Sequence, residues 1–147
     1  MNASIVEDEA ELVGIARDAK TVAVLGIKDD RDPEAPGFTV PEMMKSLGLR
    51  IIGINPTIPS ALGEPTLRSV ADLPPGVDVL DVFRRSDAIP AITDEVLALP
   101  PERRPAVVWL QSGIRHDESA ARLVKAGIRV VQDHCLGVYS RRARFHR

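Results

Sequence analysis

The chain of 147 residues has the length of one domain, and a hydrophobic share of 44% is enough for a core without disulfide or metal crosslinks. Only 3% of the residues are aromatic, so this core must be aliphatic. The formal net charge of −2 argues against a surface built for nucleic acid, and the single cysteine excludes an internal disulfide framework. No basic leader with an apolar segment opens the chain, and no apolar run is long enough to span a membrane, so we expect a soluble cytoplasmic domain.

The first half of the chain predicts a helix, a strand, a loop and a second helix. A capping-box pattern at Ser4 opens an N-terminal helix within residues 1–20. The run Thr21–Leu25 is typical of a strand covered on both faces, and Gly26 ends it. A second capping-box pattern, beginning at Thr39, predicts a helix over 39–48. A buried strand that leads through a glycine loop to a helix N-terminus forms a phosphate site, because free N–H groups and the helix dipole meet there.

Strands and helices alternate along the rest of the chain. Further strands are predicted over 50–54, 77–83, 106–110 and 128–131, and helices from Ser86 and over 117–126, before an arginine-rich tail over 136–147. Such alternation requires right-handed crossovers and parallel strands. We therefore predict an α/β fold: one Rossmann-like, doubly wound domain over 1–147, with a five-stranded, mainly parallel sheet and helices on both faces.

Folds of this kind bind ligands at the carboxyl ends of the strands, beside the point where strand order reverses. This places Gly26, Asn55, Arg84 and Gln111 around one crevice. The sequence has neither a G-x-G-x-x-G fingerprint nor a Walker loop, and the second strand ends in an asparagine where NAD-binding proteins carry an acid. Cationic side chains nonetheless surround the crevice, which favours an anionic ligand: Lys28, Arg31, Arg84 and Arg85.

Several segments together resemble the small single-domain CoA-binding proteins, relatives of the CoA-binding domain of succinyl-CoA synthetase. In chain order these segments are Thr21–Gly26, Ile54-Asn55-Pro56, Gly63-Glu64, Asp78–Arg84, Trp109–Gly113 and Val131–Cys135. The resemblance covers nearly the whole chain, and the Asp-Val-Phe-Arg and Trp-x-Gln-x-Gly segments are the most specific. Three sites differ from the family's pattern: Lys28, the stretch 37–39, and His134.

The resemblance implies coenzyme A as the ligand. Its diphosphate would lie over Gly26–Lys28 and the N-terminus of helix 39–48, its adenosine end against the loops at 55–56 and 82–84, and its pantetheine arm towards 111–113. Phe38 and Phe83 would supply apolar walls. The predicted contacts are Gly26, Ile27, Lys28, Arg31, Phe38, Thr39, Asn55, Pro56, Val82, Phe83, Arg84, Gln111 and Gly113.

Three functions are compatible with these residues. The first is CoA or acyl-CoA binding without catalysis, since no nucleophile, base and orienting group are recognisable as a set. The second is a small NAD(P)-dependent oxidoreductase, with Lys28, Arg84 and Arg85 on a 2′-phosphate. The third is a protein-interaction module with a vestigial nucleotide crevice.

Several other residues have a structural and a functional interpretation. Cys135 is either an inert small hydrophobic residue or a thiol near the CoA sulfur, able to form a mixed disulfide if His134 lowers its pKa. Asp78 and Asp81 lie in an apolar strand and are interpreted as structural acids that accept hydrogen bonds. Trp109 belongs to a buried run and is predicted to be core. The tail is a mobile basic end, a segment folded onto a nucleotide phosphate, or a contact for nucleic acid.

Overall fold

A five-stranded parallel sheet organises the fold. The structure, a computed structural model, describes residues 4–145. The strands are Thr21–Leu25 (β1), Arg50–Ile54 (β2), Ser60–Ala61 (β3), Glu64–Pro65 (β4), Val79–Val82 (β5), Val107–Leu110 (β6) and Arg129–Val131 (β7). The order in the parallel sheet is β2-β1-β5-β6-β7, and β3 and β4 form a separate hairpin. The α-helices are Glu9–Asp18 (α1), Pro36–Ser46 (α2), Ile89–Ala98 (α3), Asp117–Lys125 (α4) and Leu136–Phe145 (α5). No helix within the described range is long and apolar enough to cross a membrane.

Helices cover both faces of the sheet. One hydrophobic cluster joins the sheet to α1, α2 and α5 and includes Leu12, Met44 and Leu136. A second cluster on the opposite face includes Ile92 of α3 and Leu123 of α4. The predicted doubly wound α/β architecture is therefore confirmed, and its core is aliphatic apart from a few aromatic side chains.

The order of the strands reverses at β1. This strand pairs with β2 on one side and with β5 on the other, so that Leu25 lies opposite both Ile54 and Val82. The carboxyl ends of three strands thus lie level at the reversal point. The two crossovers leave the sheet there in opposite directions, which opens a space above the end of β1.

The N-terminal segment does not form the predicted helix from Ser4. Instead the backbone of residues 4–6 pairs with the edge strand β7: Val6 N–H donates to the Val130 carbonyl at 2.8 Å, and Val130 N–H donates to the Ser4 carbonyl at 2.9 Å. Helix α1 begins later, at Glu9, where the Asp8 carboxylate accepts from the backbone N–H of Glu11 at 3.1 Å. Pairing with an otherwise open sheet edge outweighs the local capping pattern.

Within the described residues, the arginine-rich tail forms a helix and not a mobile end. Residues 136–145 form helix α5, and only 146–147 lie outside the described residues. The helix packs on α1, where the Arg144 guanidinium donates to the carbonyls of Ala16 at 3.0 Å and Ala19 at 3.2 Å. These carbonyls belong to the C-terminal end of α1, where a cation is favourable. The tertiary contact with α1 explains why this basic segment is helical.

Candidate functional site

A crevice of about 700 Å³ opens at the carboxyl ends of β1, β5 and β6. It lies beside the reversal point of the sheet, between the N-terminal end of α2 and the loops that follow β5 and β6. Six of the predicted contacts line it: Gly26, Lys28, Phe83, Arg84, Gln111 and Gly113. The structure therefore brings residues from three distant parts of the chain to one surface.

Two glycines allow the backbone segments below the crevice to approach each other. Gly26 has a φ of +89°, and a Cβ at this position would lie 2.5 Å from the carbonyl oxygen of Phe83. A Cβ on Gly37, in the first turn of α2, would lie 2.9 Å from the carbonyl oxygen of Gly26. Any larger residue at Gly26 would push the loop after β1 away from the end of β5.

Pro41 connects this loop to α2. The capping pattern predicts a helix start at Thr39, but α2 begins at Pro36 and contains Pro41 in its interior. Since proline has no N–H, the carbonyl of Gly37 four residues earlier lacks its usual helical donor. The backbone N–H of Lys28 donates to that carbonyl at 3.0 Å. The proline thus leaves the Gly37 carbonyl free to accept the hydrogen bond that joins the loop after β1 to α2.

The N-terminal end of α2 lies at the crevice without a side-chain cap. Ala35 occupies the capping position, and no side chain accepts a hydrogen bond there. No acidic side chain lies in the first turn of this helix either. Pro36 has no N–H, and the N–H of Phe38 donates to the Ala35 carbonyl at 2.9 Å, so this end offers a phosphate the N–H of Gly37 and the positive end of the helix dipole.

Two cations at the crevice are free to bind an anion. Lys28 is exposed and Arg84 is half-buried, and neither forms an ion pair or side-chain hydrogen bond with any residue between 4 and 145. Arg85 also lines the crevice, but its guanidinium lies 3.4 Å from the carboxylate of Asp87. The positive charge at this site is therefore only partly neutralised by the protein itself.

A buried polar pair lies beneath the crevice. Gln111 is only 5% exposed, and its side-chain N–H donates to Asp81 Oδ1 at 2.6 Å. Asp81 is fully buried, and its Oδ2 has no hydrogen-bond partner among the described residues. Burial raises the pKa of Asp81 to about 8, against the smaller opposite effect of the Gln111 hydrogen bond, so this carboxyl is mostly protonated at neutral pH. Only one N–H of the Gln111 amide is bonded to Asp81, so Oε1 and the second N–H have no hydrogen-bond partner within residues 4–145.

Cys135 lies at the crevice, whereas Trp109 belongs to the buried core. Cys135 is half-buried and lines the crevice. The imidazole of His134 is turned to α5, where Nδ1 lies 3.5 Å from the hydroxyl of Tyr139. Trp109 is fully buried, as predicted, and its indole N–H donates to the His134 carbonyl at 2.8 Å.

Seven predicted contacts lie outside the crevice lining. Ile27 and Val82 are buried in the two hydrophobic clusters. Arg31 is exposed and pairs with Asp29 at 2.8 Å. The remaining positions are Phe38, in a separate hollow beside the β3–β4 hairpin; Thr39, exposed on α2; Pro56, beside a neighbouring groove; and Asn55.

Asn55 has an architectural role in the structure. It is buried, and its side-chain N–H donates to the carbonyl of Ile27 at 2.8 Å. Its Oδ1 accepts from the backbone N–H of Thr57, also at 2.8 Å. The side chain therefore joins the loop after β1 to the loop after β2, and it helps to hold the crevice in shape.

Sequence reasoning missed part of the lining, including Gly37, Val40, Ser86 and Ile114. One signal was available for the first of these. Pro41 follows Gly37 by four residues, so any helix that contained this proline would leave the glycine carbonyl free for a partner outside the helix. The others have no local signal, because they enter the lining only through the packing of the loops.

The chain is similar to known proteins over most of its length. The family model described as "CoA binding domain" matches residues 20–141. The uncharacterized protein YneT of Bacillus subtilis (strain 168) is 33% identical over 130 residues, which cover 88% of this chain and 92% of the relative. The solved structure of the Thermus thermophilus protein cell-free ID.343 is 42% identical, with a TM-score of 0.82 over 93% of this chain and 99% of that chain. A hypothetical protein from Pyrococcus horikoshii OT3 shares the fold at 21% identity, with a TM-score of 0.82 over 93% and 92% of the two chains.

Proposed function

We propose a ligand for the crevice from one premise: this chain belongs to the CoA binding domain family. The ligand is coenzyme A or an acyl-CoA, and the role of the protein is to bind it without chemical transformation. In this role the protein would act as a carrier, a sensor or a subunit of a larger enzyme.

The observation that carries this proposal is the unneutralised positive end of the crevice. The N-terminal end of α2 has no side-chain cap, and Lys28 and Arg84 have no anionic partner within residues 4–145. A diphosphate fits this combination because its oxygens can accept from backbone N–H groups and from cations at the same time. The diphosphate of CoA would therefore lie over the Gly26 loop and the first turn of α2.

The other end of the crevice has the chemistry of a pantetheine site. Phe83 and Ile114 contribute apolar surface, and Gln111 has a free amide oxygen. The pantetheine arm contains two amide N–H groups on an otherwise apolar chain, so it can donate to this oxygen and pack on the apolar side chains.

We propose binding rather than catalysis on the basis of the titratable groups in the lining. These are Lys28, Arg84, Arg85 and Cys135, and among residues 4–145 no carboxylate or imidazole belongs to the lining beside them. A nucleophile activated by a neighbouring base would require such a group.

Calorimetric titration of the ligand-free protein with CoA, NADPH and ATP tests the proposal. We expect CoA to bind with a micromolar dissociation constant, and Lys28→Ala and Arg84→Ala to weaken it about tenfold each, as expected for the loss of a charged hydrogen bond. Lys20→Ala is a matched control, because this exposed lysine lies at the opposite, amino end of β1.

Each other result points to a different function. Binding of NADPH alone would contradict the proposal and favour the oxidoreductase. No binding of any of the three ligands would favour the interaction module. Equal losses from Lys28→Ala and Lys20→Ala would show that CoA binds outside the crevice.

A further inference from the structure

A second hollow continues from the crevice on the α3 side of the sheet. This groove has a volume of about 390 Å³ and lies between the loop after β2, the turn at residues 68–72 and helix α3. Its floor is apolar and includes Leu25, Val70 and Ile92. Arg84 lines both the groove and the crevice, so the two spaces adjoin at this side chain.

Arg68 supplies a second cation to the groove. The side chain is exposed and, like Arg84, has no ion pair or side-chain hydrogen bond to any residue in the described part of the chain. Glu95 is the acidic member of the lining, and it forms no ion pair with either arginine there. The groove therefore combines an apolar floor with two available guanidinium groups.

The backbone around Arg68 is held firmly in place. The preceding residue, Leu67, forms a bridge beside β2: its N–H donates to the Gly53 carbonyl at 2.8 Å, and its carbonyl accepts from Asn55 N–H at 2.9 Å. On the other side, the Ser69 hydroxyl accepts from Ala71 N–H at 3.2 Å and caps the short turn that follows. The guanidinium thus extends from a fixed point on the rim of the groove.

The loops against which the family resemblance puts the adenosine end of CoA supply Pro56 and Arg84 to this groove. We propose that Arg68, on the rim of the same groove, binds the ribose 3′-phosphate of CoA. The inference rests on the proposed function and identifies a residue that determines its specificity. The adenine and ribose supply a flat surface for the apolar floor, and the 3′-phosphate supplies a dianion for the rim. A guanidinium can bind a phosphate through two parallel hydrogen bonds. Arg84, at the junction, lies between this phosphate and the diphosphate in the crevice.

Calorimetric titration with CoA and with dephospho-CoA, which lacks only the 3′-phosphate, tests this assignment. We expect the unmodified protein to bind CoA about tenfold more tightly than dephospho-CoA. Arg68→Gln should weaken CoA binding about tenfold and leave dephospho-CoA binding unchanged, so that the variant no longer distinguishes the two ligands. Arg50→Gln is the matched control, since Arg50 is an exposed arginine at the opposite end of β2.

The outcomes separate this inference from the proposed function. Equal affinity of the unmodified protein for the two ligands would overturn the inference alone, as would an equal loss of both affinities in Arg68→Gln. Binding of neither ligand would overturn the proposed function and the inference together. A melting temperature of Arg68→Gln equal to that of the unmodified protein would show that loss of the discrimination between CoA and dephospho-CoA does not come from misfolding.

Discussion

The two ends of the parallel sheet use their polar groups differently. At the amino end, a side chain forms hydrogen bonds with backbone groups: the Asp78 carboxylate accepts from the N–H groups of Lys20 and Thr21, both at 2.9 Å. At the carboxyl end, Lys28 and Arg84 lack such partners within residues 4–145, and the end of α2 is uncapped.

A hollow by itself does not distinguish the two ends. The amino end has one of about 450 Å³, and its lining carries charges of both signs. Two of these, Arg17 and Asp18, form an ion pair at 3.0 Å. The carboxyl-end crevice is cationic instead, with an exposed helix N-terminus beside it. Polar groups left without partners, rather than the size of a cavity, therefore indicate where an anionic ligand belongs.

The largest effect should come from the buried acid beneath the crevice. The Asp81 pKa is raised by burial from 3.8 to about 8, so between these values the folded state binds more protons than the unfolded state. The free energy of unfolding should therefore fall as the pH rises. We expect the stability of the unmodified protein, relative to Asp81→Asn, to decrease by roughly 4 kcal/mol between pH 5 and pH 9, since one pKa unit corresponds to about 1.4 kcal/mol.

Urea unfolding of both proteins at several pH values measures this difference. Asp81→Asn is the control for the unmodified protein, because an asparagine has the same shape as the acid and does not titrate. A stability difference that stays constant with pH would show that Asp81 is already ionised in the folded protein. The acid at the carboxyl end would then be a stabilised carboxylate, as Asp78 is at the amino end.

The next largest effect should come from the glycine loop. Gly26→Ala should cost about 3 kcal/mol of unfolding free energy, because it adds a Cβ clash with Phe83 to the strain of a positive φ. It should also abolish CoA binding by displacing the loop. Gly76→Ala is the matched control: Gly76 has a φ of +86° with no heavy atom within 4 Å of its Cβ position, so we expect a loss of only about 1 kcal/mol. Equal losses in thermal unfolding would mean that the close approach at the crevice is not a constraint.

A smaller effect should come from the amino end. Asp78→Ala removes two charge-assisted hydrogen bonds to the backbone and should cost about 2 kcal/mol of unfolding free energy. CoA affinity should stay unchanged, since the side chain lies at the far end of β1 and β5. Parallel denaturation and calorimetry test both statements. A loss of affinity as large as that of Lys28→Ala would break the proposed division between a structural end and a binding end.

The general position of the site could be predicted because it depends on topology. Strands that alternate with helices form a parallel sheet, and the loop after the first strand must then lie at the carboxyl edge. Gly26 and Gln111 follow β1 and β6 directly, and Arg84 lies two residues after the end of β5, so their meeting follows from the strand order alone. Asn55 also follows a strand, but its side chain is used to join two loops.

The details of the site depended on contacts that local patterns do not contain. The start of α2 at Pro36 is compatible with the interior Pro41 because the loop after β1 donates to the Gly37 carbonyl. Phe38 lies on the side of α2 that faces the β3–β4 hairpin, away from the crevice. Both results depend on how the helix is placed against neighbours that are distant in the sequence.

By itself, the sequence determined the parallel sheet, its aliphatic core and the edge of the sheet at which the crevice lies. These features follow from hydrophobic periodicity and from the right-handedness of crossovers, which are local properties of the chain. Only the tertiary structure decided that residues 4–6 pair with β7, that the arginine-rich end folds as α5 on α1, and that Arg68 shares a groove with Arg84. Each of these brings together residues that are far apart in the chain, and that proximity exists only once the sheet has formed.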